Sequence, residues 1–360
     1  MLKAKLAPPF NVEITLGQRG WQKMKKTLSI ILTAFMALMV LSACGEQSQS
    51  DVLDSLEERM EKMTGYKAEA KMTLNTGEKP LTYDLEIWHK KPDFYRVSLK
   101  NAEKDQSQMI LRNKDGVFVL TPALNKSFRF QSDWPENNSQ VYLFQSLIAD
   151  ILNDTDRGFK SKEKSYVFHT KTNYQNKNLY QQEITLNKDL DPTQVRIMDQ
   201  DQKELVRLDF SKVQFNAKFD KNSFDMESNM SSAQFEIPTF SGSDEEFEVL
   251  YPTYTSNLNL VNEREVALGD NDSKVVLNYA DEEENKSFTL MQQKNIAVET
   301  ASRLTLANGE PVDLGFTVGA MTEQSVTWNY NGVDYFLASN NLDQEELMAI
   351  ARSVSGEAIK

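Results

Sequence analysis

A mainly β, α+β architecture is predicted for this chain by three observations. About ten segments between Tyr66 and Phe215 carry apolar residues at every second position, helical stretches precede and interrupt them, and a second set of strands near the C-terminus is closed by a helix. That many consecutive antiparallel strands imply a strongly curved sheet or partial barrel.

Each element has a local reason. Asp51 to Met63 puts Val52, Leu53, Leu56, Met60 and Met63 on one stripe, with Glu57, Glu58, Glu61 and Lys62 elsewhere, so it reads as an amphipathic helix stopped by Gly65. From Tyr66 the period falls to two: Tyr66, Ala68, Ala70, Met72 and Leu74 alternate with charged or polar residues, as do Leu81, Tyr83, Leu85 and Ile87 in the next run. Further strands are expected at 95–99, 108–112, 117–121 and 127–131, with Asn113-Lys114-Asp115-Gly116 turning one hairpin. Residues 141–152 are apolar on most of a helix circumference, which predicts a helix enclosed by protein. Strands resume at 165–170, 179–186, 192–198 and 205–215, with Asp199-Gln200-Asp201-Gln202 as a turn.

Residues 227–246 lose the alternation and are rich in Ser, Asn, Gly and Pro, so they are read as a linker between a domain at 51–226 and a smaller α+β domain at 247–360. In the second domain strands are expected near 247–250, 274–279, 287–293, 312–318, 325–330 and 333–338, and Asn331-Gly332 is a strong hairpin signal. Asp343 and Glu346 form a capping box for the final helix, with Leu342 placed to staple onto Leu347.

Cys44, the only cysteine, decides the compartment. Lys23, Lys25 and Lys26 lead into the apolar run Leu28 to Leu41, which is too short to span a bilayer comfortably, and Leu41-Ser42-Ala43-Cys44 follows. This is the order of a bacterial lipoprotein signal peptide at 24–43, after which a lipidated Cys44 would begin the mature chain and 44–50 would serve as a polar tether. Two acyl chains suffice for stable anchoring. Residues 1–23 are read as a mis-called start and set aside. The expected location is the extracytoplasmic face of the cell membrane.

Composition excludes several functions. Beyond Cys44 the chain holds 34 basic and 52 acidic residues, a net charge of −18, which opposes nucleic-acid binding and contact with anionic headgroups. With Cys44 lipidated, no thiol remains for disulfides, metal thiolates or cysteine nucleophiles. His89 and His169 lie in no ligand-spaced motif, and no phosphate loop, dinucleotide fingerprint or serine-hydrolase motif appears, so no metal, cofactor or catalytic residue is assigned and the chain is read as a non-enzyme. The acidic clusters at 244–246, 270–272 and 281–284 lack calcium-loop spacing and are read as solvated loops.

Apolar surface is the better candidate for function, because a curved sheet presents alternate side chains to its hollow and helices can lid it. Residues 51–226 resemble the periplasmic lipoprotein carrier (LolA-like) family. The likeness rests on the leading helix, on Leu85-Glu86-Ile87-Trp88-His89-Lys90-Lys91-Pro92-Asp93-Phe94, on the hairpin from Asn113 to Pro122, and on Phe219-Asp220-Lys221-Asn222-Ser223-Phe224. The resemblance implies an unclosed antiparallel β-barrel lidded by helices that binds the acyl chains of lipoproteins. Residues 247–354 resemble an uncharacterised domain of Gram-positive envelope proteins, which implies no activity.

On this basis the cavity and lid candidates are Leu56, Met60, Trp88, Lys91, Phe94, Phe144 and Leu147. The resemblance places Lys91 where the family has an arginine that latches the lid helix through backbone hydrogen bonds, and lysine offers three rotatable donors in place of a rigid fork. The expected function is a membrane-anchored protein that binds acyl lipid or lipoprotein in an oily half-barrel. The alternative is a non-enzymatic envelope sensor or assembly factor that binds a protein partner, for example in sporulation.

Overall fold

The computed structural model describes residues 47–75, 79–102, 107–135, 140–174, 176–236, 249–269, 272–282, 285–294, 303–306, 309–330 and 332–355. Cys44, the signal segment 24–43 and residues 1–23 lie outside them, as do residues 44–46 of the tether. Residues 51–360 form one compact unit.

Helix α1 (Gln49–Lys62) leads into six strands: β1 (Gly65–Leu74), β2 (Leu81–Lys90), β3 (Phe94–Asn101), β4 (Ser107–Asn113), β5 (Gly116–Thr121) and β6 (Lys126–Phe130). Helix α2 (Phe144–Asn153) separates them from β7 (Gly158–Ser161), β8 (Ser165–Lys171), β9 (Gln181–Asn187), β10 (Pro192–Met198) and β11 (Glu204–Phe215). Helix α3 (Met226–Glu236) follows, and then β12 (Asn259–Gly269), β13 (Asp272–Ala280), β14 (Ser287–Lys294), β15 (Arg303–Leu306), β16 (Glu310–Asp313), β17 (Val318–Met321), β18 (Ser325–Tyr330), β19 (Val333–Ala338) and α4 (Gln344–Arg352).

The first sheet joins two antiparallel meanders in the order β15-β6-β5-β4-β3-β2-β1-β11-β10-β9-β8-β7. Strands β1 and β11 close the seam, with Tyr66 opposite Phe215 and Leu74 opposite Val206. The end strands β15 and β7 do not pair with each other, so the barrel is unclosed, as the fold-class expectation has it. Strand β15 lies parallel to β6 and carries the later part of the chain onto the first sheet. The second sheet runs β12-β13-β14-β19-β18-β17-β16.

Alternation drives both faces. In β1 and β2, Tyr66, Ala68, Ala70, Met72, Leu74, Tyr83, Leu85 and Ile87 are all buried and share one apolar core with α1 and α2. Each fully buried Leu or Ile is worth about 1.5–3 kcal/mol relative to exposure. The entry from α1 into β1 requires glycine, since a Cβ on Gly65 would sit 2.3 Å from the His89 carbonyl oxygen.

The expected terminal capping box is present: the Asp343 side chain accepts from the Glu346 N–H, and the Glu346 side chain accepts from the Asp343 N–H. Of the expected Asn331-Gly332 turn, Asn331 lies outside the described residues; on either side Tyr330 pairs with Val333, and Gly332 has φ +76°.

Several elements differ from the sequence expectation. The helix at 226–236 takes up the first part of the stretch read as a linker, 227–246. The expected strand at 312–318 divides into β16 and β17, because the Asp313 side chain accepts the Gly315 N–H at 2.7 Å and Gly315 takes φ +89°. Val249 and Leu250 join no strand. Instead Gln292, fully buried, accepts the Leu250 N–H at 2.9 Å and donates to its carbonyl at 2.6 Å, replacing ladder bonds by a side chain. Strands β7, β12 and β15 were not expected: β7 and β15 have four residues each, and β12 has no buried residue among those whose burial is described, 259–267.

Candidate functional site

Helix α1 lies over the core with Val52 and Leu56 fully buried and Met60 packed at the edge. Its C-terminal end is pinned from two sides of the barrel. The Lys91 ammonium, at the end of β2, donates to the Met60 and Glu61 carbonyls at 2.7 and 2.9 Å, satisfying acceptors that the last helical turn leaves open. On the other side Arg59 pairs with Asp191 at 2.7 Å and donates to the Asp189 carbonyl in the β9–β10 turn, and its guanidinium lies 4.6 Å over the Phe215 ring.

Helix α2 is held from below by Tyr66. No side chain of its own caps its start, and the buried Tyr66 hydroxyl takes that part, accepting from the Phe144 N–H at 3.1 Å and donating to Gln145 Oε1 at 3.0 Å. Around this hydroxyl the Tyr66 ring meets His89, Phe144 and Phe215, and His89 stacks on Tyr95 at 4.6 Å. Burial pushes the Tyr66 phenol well above its ordinary range. Burial also pushes His89 down to about 4, although its Nδ1 contact with the Phe94 carbonyl opposes this, so the imidazole is neutral at neutral pH. Further along α2, Asp150 accepts from Gln182 Nε2 at 2.7 Å, and Gln182 Oε1 accepts from the Tyr174 hydroxyl at 2.6 Å.

The structure brings together Leu56, Met60, Phe144 and Leu147 on the enclosed face, with Lys91 at its rim. Trp88 and Phe94 require a correction as cavity candidates: they stand on the opposite face, in a second cluster with Met109, Leu111, Phe118, Leu120, Phe224 and Met230. The reason is the strand period, which sends the neighbours Ile87 and Tyr95 inward and these two outward. Helix α3 covers that outer cluster. Asn229 fixes it, accepting from Arg96 Nε at 2.8 Å and donating to the Asp225 carbonyl at 2.7 Å, while Lys67 and Arg96 lie 4.0 and 4.1 Å from the Trp88 ring.

The hollow itself is filled. Leu56, Ile87, Val97, Leu147, Ile148 and Leu208 are fully buried, and their cluster also takes in Leu314 and Phe316 of the β16–β17 turn and Val318 and Tyr330 of the second sheet. Polar contacts fasten that junction: Gln108 accepts the Val318 N–H at 2.7 Å, and Lys126 pairs with Asp334 at 2.7 Å.

A cleft of about 430 Å³ opens where the ends of β1 and β11 meet the β16–β17 turn and α4. Its size falls within the range of ligand pockets. Met72, Leu74, Leu205 and Leu314 form its apolar part, and Gln140, Lys203, Asp313 and Arg352 its polar part. Arg352 donates to the Asp313 carbonyl at 3.0 Å; burial pushes its guanidinium down to about 10, which leaves it cationic, while burial holds the Asp313 carboxyl above its ordinary range. Sequence reasoning missed this cleft because its parts come from seven separated stretches, and no one of them forms a motif.

Among the described residues no cluster of His, Cys, Asp and Glu could hold a metal, and no helix is long and apolar enough to cross a membrane.

Residues 24–224 match the family model described as sporulation protein YdcC-like. The chain is also 48% identical over 342 residues to "Sporulation protein YdcC" of Bacillus subtilis (strain 168), covering 94% of this chain and 100% of that protein. The chain belongs to the sporulation protein YdcC-like family. Among solved structures, this family member is similar to MucB in complex with MucA(peri), at 14% identity and TM-score 0.31, over 87% of this chain and 100% of that one. It is similar also to a LolA superfamily protein from Nitrosomonas europaea, at 11% identity and TM-score 0.29, over 51% of this chain and 100% of that one.

Proposed function

We propose that this protein is an extracytoplasmic component of the sporulating cell's envelope, tethered by lipid on Cys44, that works by binding and not by catalysis. Its recognition site in this reading is the cleft between the half-barrel and the second sheet. The family name supports the setting, and Leu41-Ser42-Ala43-Cys44 behind its basic and apolar run supports the tether. The observation that carries the binding reading is the filled hollow: the side chains that would line an acyl channel are packed against α1, α2 and the second sheet, while a mixed polar and apolar cleft stands open beside them.

The hollow would accept a hydrocarbon chain only if α1 or α2 moved away and forfeited this burial, so acyl carriage is the competing outcome. Native mass spectrometry of residues 45–360 separates the two. The expected spectrum contains the bare polypeptide mass, and a tightly held fatty-acyl mass would overturn the reading. For the tether, Cys44→Ala is expected to leave an unprocessed precursor without lipid; recovery of a processed, lipidated form would refute it.

A further inference from the structure

We infer that the cleft binds a short apolar peptide segment bearing a carboxylate, with its side chains on Met72, Leu74, Leu205 and Leu314, its backbone amide on Gln140 and its carboxylate toward Lys203 and Arg352. This inference deepens the cleft-binding reading and rests on it.

Two independent observations select this chemistry. The first is Gln140: it lines the cleft, it is 5% exposed, and its Oε1 has no hydrogen-bond partner among the described residues. A buried carboxamide oxygen without a partner costs about 1–3 kcal/mol, so an incoming donor at this site gains more than the same bond on an open surface. A carboxamide offers an acceptor and a donor side by side, which matches the paired C=O and N–H of a peptide backbone. A plain fatty acid has no N–H to give it.

The second observation is charge. The chain beyond Cys44 is strongly acidic, yet the cleft gathers Lys203 and Arg352. One acidic group, Asp313, stands beside these two cations, and its Oδ1 is engaged by the Gly315 N–H at 2.7 Å. The local field therefore favours an anionic ligand group, and the apolar wall of leucine and methionine favours aliphatic side chains beside it.

The test uses the full-length lipidated protein in phosphatidylcholine nanodiscs, with empty discs as the blank, and a fluorescent N-capped trileucine peptide with a free carboxylate. Fluorescence polarisation is expected to show saturable binding, weakened at least tenfold by Gln140→Leu and at least tenfold by Lys203→Glu. Lys203 is exposed, so its variant keeps the fold and preserves the test if the Gln140 variant does not fold. The C-terminal amide of the peptide is expected to bind at least tenfold more weakly than the acid.

Three outcomes would overturn the inference: no saturable binding, equal binding of acid and amide, or hexanoate competing as well as the peptide with no effect of Gln140→Leu. Failure of the wider binding reading has a different signature, the acyl mass in the native spectrum, and does not depend on the peptide result.

Discussion

Tyr66→Phe isolates the interaction that seats helix α2 on the barrel. The substitution removes one oxygen from a residue that is 1% exposed and leaves the ring, with its contacts to His89, Phe144 and Phe215, in place. No cavity larger than a hydroxyl results, so the cost is that of the hydrogen bonds. The Phe144 N–H loses its acceptor at 3.1 Å within a buried environment, a penalty of about 1–3 kcal/mol. The bond to Gln145 at 3.0 Å involves a half-buried partner that water can reach, and adds about 0–1 kcal/mol. The sum is about 2 kcal/mol, which lowers the thermal midpoint of a unit this large by about 4 °C. Calorimetry of wild type and variant measures it, and hydrogen exchange at the Phe144 and Gln145 amides locates it at the start of α2. A stability change below about 0.5 kcal/mol, with those amides still protected, would refute the claim that a strand tyrosine caps this helix.

Three further outcomes are expected. Lys91→Met should remove the donors to the Met60 and Glu61 carbonyls and cost about 1 kcal/mol after allowance for solvent, seen as about fivefold faster exchange in the last turn of α1. Lys91→Arg should retain the protection, and equal exchange in all three proteins would exclude a latch. Gly65→Ala should destabilise by at least about 2 kcal/mol in urea unfolding, since its Cβ would press on the His89 carbonyl from 2.3 Å, and a neutral result would refute the close approach. His89, held at about 4 chiefly by burial, binds fewer protons folded than unfolded between that value and about 6.5. Its contribution is intact above pH 6.5 and is lost as pH falls toward 4, so wild-type stability relative to His89→Phe should drop by about 3 kcal/mol between pH 7 and pH 4, and a constant difference would exclude a buried neutral imidazole.

Much of this architecture was legible in the chain itself. Strict alternation through Tyr66 to Leu74 and Leu81 to Ile87 specified strands and their inward set, because a period of two leaves no other way to bury those side chains. Asp343 and Glu346 announced the last helix by satisfying its open N–H groups locally. Cys44 and its preceding segment carried the expectation of an exported, tethered protein.

Tertiary structure alone decided what fills the hollow and what covers the outer face of the strands. Trp88 and Phe94 alternate with polar neighbours such as Glu86, Lys90, Arg96 and Ser98, and their partial burial on the outer face comes from Phe219, Phe224 and helix α3, which the chain brings there from more than 100 positions away. The 226–236 helix itself was hidden, since its residues carry little apolar periodicity and Asn229, which helps to anchor it, reaches Arg96 across 133 positions. The cleft arises in the same way. Gln140, Lys203, Asp313 and Arg352 are unremarkable where each stands in the sequence, and they become a site because the β1–β11 seam and the second sheet bring their ends to one place. Local patterns report the hydrogen bonds and apolar stripes that neighbours in sequence must satisfy; a site made from distant stretches depends on packing energies that no short window contains.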